Sequence, residues 1–134
     1  DKMIDANTMD LINVFLSVNR NFSNENDIQD ENFELQKLIS ASILNNIILS
    51  KKIFKKNYMI GKFLEKNFSM SLSKYALTSR TMITGKVTRY IYGLKSSDEL
   101  IEFLNALYNI LKKLRDNKDI FDNDIYEVIM GMKI

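Results

Sequence analysis

The chain has no cysteine, no histidine and no proline, and only four of its 134 residues are glycine. Without cysteine there is no disulfide framework and no thiol nucleophile; without histidine the commonest general base is missing, and with both gone so are zinc sites of the usual ligand types. Most hydrolase and metalloenzyme chemistry is thereby disfavoured. Carboxylates do gather at Asp116, Asp119, Asp122, Asp124 and Glu127, but their spacing misses the calcium-loop pattern and its central glycine, so they read as a solvated loop. Asp27, Asp30, Glu31 and Glu34 read as helix-start charges. Gly85-Lys86 lacks the upstream glycine of a phosphate-cradling loop. The expectation is a non-enzyme with no metal and no cofactor. The longest apolar run, residues 43–49, is interrupted by Asn45 and Asn46 and falls short of the roughly 20 residues that span a bilayer, so no membrane helix is expected. Residues 1–10 are acidic and lack the basic and apolar regions of a signal peptide, which makes a cytoplasmic location the expectation.

What remains is a soluble, helical composition: 46% apolar, 27% charged, with a mean hydropathy of -0.18. That size and balance suit one domain over 1–134 with a real core, and sparse glycine with no proline favours long helices over hairpins. The expectation is an all-α bundle of six or seven helices. Apolar spacing predicts a helix over residues 3–20 and a polar loop to about 32. A long helix from Asp30 then ends in Lys51, Lys52, Lys55 and Lys56, cations that suit its negative end, and a shorter one covers 58–67. Two short helices are expected around a turn at 78–84, the second stopped by Gly93 as a left-handed cap. Ser96 and Glu99 form a capping box for a helix to about Arg115. Its Leu100, Leu104, Leu107, Leu111 and Leu114 read as a buried stripe, with a dimer contact as the alternative. A last helix is capped by Asp122 or Asp124.

Charge is segregated along this framework. Residues 51–95 hold eleven of the nineteen basic side chains and one acid, Glu65, a net of +10 in a chain whose total is +2. Residues 1–56 begin with an acidic N-terminal half, residues 57–95 form the basic segment, and residues 96–134 are net acidic again. Clustered Lys and Arg that share a face attract phosphate, so the leading expectation is a nucleic-acid-binding module.

Within the basic segment, Ser71 to Gly93 carries Tyr75 and Ala76, then Val87, Tyr90 and Ile91, the apolar skeleton of two crossed helices with a small residue where they touch. With Ile60-Gly61-Lys62-Phe63-Leu64 before it and Leu100, Phe103, Leu104 and Leu107 after it, the stretch 58–111 resembles the helix-turn-helix of the phage repressor and Cro-like family. The family's turn is one residue shorter and usually holds a glycine; here Arg80 and Thr81 stand in its place and Ser79 occupies a normally apolar site. The resemblance implies that Thr84, Lys86, Thr88 and Arg89 face the major groove, with Arg89 able to bind guanine. It places Lys62, Lys66, Ser73, Lys74 and Lys95 near the sugar-phosphate backbone; Arg80 is the remaining candidate contact. It also implies a regulator of transcription or replication, acting as a homodimer on two-fold sites.

Independently of any family, eight Ser and Thr hydroxyls between Ser69 and Thr88 are interleaved with these cations, a mixture suited to phosphate. Duplex DNA is favoured, and RNA or single-stranded DNA stays open. Tyr58, Tyr75, Tyr90 and Tyr92 either stack on unpaired bases or pack in the core with wet hydroxyls. Two other classes also stay open. One is a helical subunit of a ribonucleoprotein, such as a small subunit of a CRISPR effector. The other is a protein-binding inhibitor, antitoxin or immunity module whose basic face meets an acidic partner. A membrane partner is not expected.

Overall fold

A computed structural model describes residues 4–18, 30–117 and 122–132, without the side chains of 30, 31 and 122–124. Among these residues the chain is all-α: α1 (Ala6–Val18), α2 (Asp30–Ile48), α3 (Asn57–Phe68), a single 3-10 turn (Ala76–Thr78), α4 (Arg80–Tyr92), α5 (Ser97–Asp116) and α6 (Asp122–Ile129), with no strand. None of these helices is long and apolar enough to cross a membrane.

Starts follow local chemistry. The Asp5 carboxylate accepts the Thr8 amide at 2.8 Å and opens α1. Ser79 accepts the Met82 amide at 3.3 Å and opens α4. Ser96 and Glu99 form the expected reciprocal box, at 3.1 and 3.3 Å, ahead of α5. The five leucines of α5 are all fully buried, so the stripe is core and not a surface contact. One contiguous core gathers side chains from every helix. An aromatic chain runs through it, from Tyr126 to Phe54 (5.8 Å between centroids), Phe63 (5.1 Å), Phe68 (5.8 Å), Phe103 (5.3 Å) and Tyr90 (6.4 Å).

Four expectations need correction. The long helix stops at Ile48, so Lys51 to Lys56 lie in turns and not in its last turn. The cause is local. The Ser50 hydroxyl takes the Ile53 amide at 3.3 Å, and Ile53 and Phe54 turn inward together to be buried. The helix expected to open the helix-turn-helix pair is absent: residues 71–75 are non-helical and only the 3-10 turn follows. Ser73 accepts the Ala76 amide at 3.1 Å, competing with helical pairing in a stretch too short to hold a helix by itself. The turn expected over 78–84 is largely helix, because Ser79 is a good cap and starts α4 at Arg80. Finally, Gly93 does close α4, but at φ -81° it is right-handed. Glycine fits there because a Cβ would stand 3.1 Å from the Arg89 carbonyl oxygen. The polar loop expected to about residue 32 gives way to α2 at Asp30, and its part over 19–29 lies outside the described residues, as does the side-chain cap proposed for α6.

The packed pair at the centre is α2 against α4, and its two ends are closed by cations. At one end Arg80, the first residue of α4, donates through Nη1 to the Ile48 carbonyl at 3.0 Å and the Ser50 carbonyl at 3.4 Å, through Nη2 to the Phe54 carbonyl, and through Nε to Asn57 Oδ1 at 3.1 Å. At the other end Lys37, a buried residue of α2 with 3% exposure, donates to the Tyr92 carbonyl at 3.3 Å and to the Leu94 carbonyl. Because each helix's carboxyl end meets the other's amino-terminal part, the helices run antiparallel. Between the clamps the Asn45 amide donates to Thr88 Oγ1 at 2.8 Å.

Removing one partner of a charged hydrogen bond leaves buried carbonyls unpaired, at a cost of about 1.5–3 kcal/mol. Arg80→Ala is therefore expected to lower the unfolding free energy by about 2–3 kcal/mol, and Arg80→Lys to recover little of it, because one ammonium cannot reproduce the fork. Lys37→Met, which keeps the stem, should cost about 1–3 kcal/mol. Urea denaturation followed by circular dichroism checks all three.

Candidate nucleic-acid interface

Residues 71–77 lie along one flank of α3. Ser71 Oγ reaches Glu65 Oε2 at 3.5 Å, the Asn57 amide donates to the Leu77 carbonyl at 2.8 Å, and between them the Leu77 methyls press on Gly61. A Cβ at Gly61 would sit 3.1 Å from Leu77 Cδ1, so glycine lets the segment lie flat on the helix. The 3-10 turn touches both α3 and α4, which makes α3, residues 71–78 and α4 successive neighbours. Three of the expected cations stand on these elements with exposed side chains: Lys62 on α3, Lys74 on the segment and Lys86 on α4. Arg89 joins Lys86 on the side of α4 away from buried Ile83, Val87 and Ile91. Lys95 is exposed just beyond the end of α4.

Other expected contacts already have partners within the protein. Arg80 directs its guanidinium to main-chain carbonyls, and the Lys66 ammonium donates to the Met130 carbonyl at the end of α6. Thr88 Oγ1 donates to the Thr84 carbonyl at 2.8 Å while accepting from Asn45, and Thr84 Oγ1 donates to the Thr81 carbonyl at 2.9 Å. Both threonine hydroxyls thus have main-chain partners within α4. Ser73 is exposed, with its oxygen holding the Ala76 amide.

Two further groups join the expected contacts: the lysines of the loop at 51–56, and two of the tyrosines for which stacking or core packing stood open. Arg80 grips the carbonyls of Ile48, Ser50 and Phe54 and so fixes the loop that presents exposed Lys51, Lys55 and Lys56 beside the first turn of α4. Tyr75 and Tyr58 are 74% and 58% exposed, so neither packs in the core. The signal for Tyr75 was its sequence setting, Ser71 to Lys74, which supplies no amphipathic stripe to draw the ring inward. Lys62 holds its ammonium 5.4 Å from the Tyr58 ring centroid.

The basic side ends at Tyr90. There a cavity of about 240 Å³ is bounded by Asn67, Phe68, Tyr90, Glu99, Glu102 and Phe103, and two of those walls are carboxylates. Burial first, then the Glu102 and Glu99 charges, push the Tyr90 phenol above its ordinary 10.0. Ser69, at φ 55°, also lines this cavity and turns the chain out of α3.

The chain matches no protein-family model, and comparison with curated proteins and with solved structures gave no match.

A phenol whose folded pKa lies above its unfolded value keeps its proton longer when folded, so its contribution is complete below 10.0 and is lost as pH rises through the folded value. Tyr126 is shifted the same way, by burial and then Tyr58. Stability is expected to fall as pH rises above 10.0, and Tyr90→Phe should make that fall shallower. Urea midpoints at several alkaline pH values provide the comparison.

Proposed function

We propose that this chain binds nucleic acid through a basic face built from the loop at 51–56, α3, residues 71–78 and the outer side of α4. One observation carries this reading. Lys62, Lys74, Lys86, Arg89 and Lys95 are exposed and, among the described residues, none meets a carboxylate at ion-pair distance. Exposed cations on adjoining elements are what a phosphate backbone replaces its counterions with. Arg89 and Lys86, one residue pair on an open helix side, are the contacts through which α4 would approach bases in a duplex. A duplex-reading helix-turn-helix would have to work with a single 3-10 turn as its first element.

A second reading, a protein-binding module, has its own observation. Leu11, Val14 and Val18 of α1 and Leu35 of α2 leave an apolar groove of about 250 Å³ open to solvent. That groove lies on helices other than those of the basic face, so it is compatible with either role.

Binding through these cations is expected to weaken steeply with salt, log K against log salt having a slope of about -0.7 to -0.9 per phosphate neutralised. Lys86→Glu combined with Arg89→Glu should reduce affinity at least about tenfold at 0.1 M salt without moving the melting temperature, whereas Lys112→Glu on α5 should change little. Fluorescence anisotropy with labelled oligonucleotides measures both. Failure to bind any nucleic acid at low salt overturns the proposal and favours the protein-binding reading.

A further inference from the structure

We infer that the nucleic acid taken by this face is single-stranded, with unpaired bases stacking on Tyr75 and Tyr58 while Lys62 and Lys74 hold the adjoining phosphates. The inference rests on the proposed nucleic-acid binding and names its substrate class. Tyr75, at 74% exposure, is the most exposed large hydrophobic side chain among the described residues. Its backbone is nevertheless fixed: the Tyr75 carbonyl accepts both the Thr78 amide at 3.1 Å and the Thr78 hydroxyl at 2.6 Å, and the Leu77 amide donates to the Ser73 carbonyl at 3.2 Å. The segment is in turn held on α3 by Asn57 and by Leu77 against Gly61. An exposed ring on a fixed root loses little freedom when a flat partner covers it.

Tyr58 stands on α3 one residue from the Asn57 contact and three from Gly61, is 58% exposed, and has the Lys62 ammonium 5.4 Å from its ring centroid. Each ring is thus adjacent to a cation, Tyr75 by sequence and Tyr58 by the cation-π contact, and Ser71 and Ser73 add hydroxyls beside them. This is the composition of a stacking platform: aromatic faces for bases, cations and hydroxyls for the sugar-phosphate chain. Duplex DNA cannot use it. Its base faces are already closed by their neighbours, and its phosphates alone would gain nothing from an exposed phenol ring. Unpaired bases have a free face in every nucleotide, so the preference is for strand state and not for sequence.

The test uses the full chain and four labelled probes of equal length: a dT 20-mer, a mixed-sequence RNA 20-mer, a 20-base-pair duplex and an abasic 20-mer. Wild type should bind the dT or RNA strand more tightly than the duplex, and the abasic strand, which keeps the charge, more weakly than either. Tyr75→Ala and Tyr58→Ala should each weaken the based single strands by about 5- to 150-fold, leave abasic binding unchanged, and reduce tyrosine quenching on binding. Tyr75→Phe should retain most of the affinity. A duplex preference, or single-strand affinity within about twofold of wild type in both alanine variants, overturns the stacking inference while leaving charge-driven binding intact. No binding of any probe overturns both. Relative affinity for dT and RNA distinguishes the two sources of unpaired nucleotides.

Discussion

A helix that ends inside a protein leaves carbonyl oxygens with no intrahelical amide to accept, and each must find a donor or carry a desolvation penalty. In this molecule the last carbonyls of α4 can be followed individually. Gly93 donates to Arg89 and Tyr90, Leu94 donates to Ile91 at 3.2 Å, and the carbonyl that remains, Tyr92, takes Lys37. At the end of α2, Leu49 and Ser50 serve Asn45 and Ile47, and Arg80 takes Ile48. At the end of α6, Gly131 at φ 73° supplies the left-handed turn, the Met132 amide reaches Glu127 at 2.8 Å, and Lys66 takes Met130. Cations suit these places twice over, because they bring several donors and because the carboxyl end of a helix is its negative end. Apolar burial supplies most of the favourable free energy, but it has no direction. Two clamps at opposite ends of α2 and α4 supply the register that burial lacks.

The same clamps decide what the basic segment can offer a partner. Lys66 and Arg80 still add to the positive field that draws a polyanion, but Arg80 directs its donors to three carbonyls and to Asn57 Oδ1, and Lys66 holds the Met130 carbonyl. Arg80 also acts at one remove, since the loop it grips carries Lys51, Lys55 and Lys56. A count of eleven cations therefore overstates the number of contacts and understates the order among them. Lys62, Lys74, Lys86, Arg89 and Lys95 combine charge with exposure, as do Lys51, Lys55 and Lys56 on the loop.

The parts of the fold legible in the sequence were those written in short-range code. Ser96 and Glu99 announce a capping box wherever they occur before an apolar run, and the leucines of α5 announce a buried stripe. All-α architecture followed from sparse glycine and missing proline. Illegible were residues whose role depends on distant chain. Lys37 has the composition of a surface lysine, and nothing near it in sequence indicates that residues 92 and 94 will sit against its ammonium. Arg80 looked like any cation of a basic turn, yet its four acceptors lie 23 to 32 residues upstream. The short helix expected to begin at Ser71, ahead of the turn at 78–84, failed for a local reason that the sequence did contain: Ser73 offers the backbone a competing acceptor in a segment with few residues to bury.

That failure changes what the segment can do. A helix over residues 71–78 packed as in a helix-turn-helix would put its apolar residues against α4, and Tyr75, next to Ala76 in such a helix, would have to share that contact or a neighbouring groove. In the extended and 3-10 conformation only Ala76 is buried and Leu77 turns to Gly61, so the ring of Tyr75 is left outside. An exposed tyrosine ring adds nothing to folding that a smaller polar residue would not, since burial is what makes an aromatic stabilising. The backbone hydrogen bonds that hold Tyr75 in place involve Ser73 and Thr78, residues whose hydroxyls also stop a helix from forming. One set of side chains thus removes the element that would support duplex reading and fixes an aromatic face where a single base could lie against it.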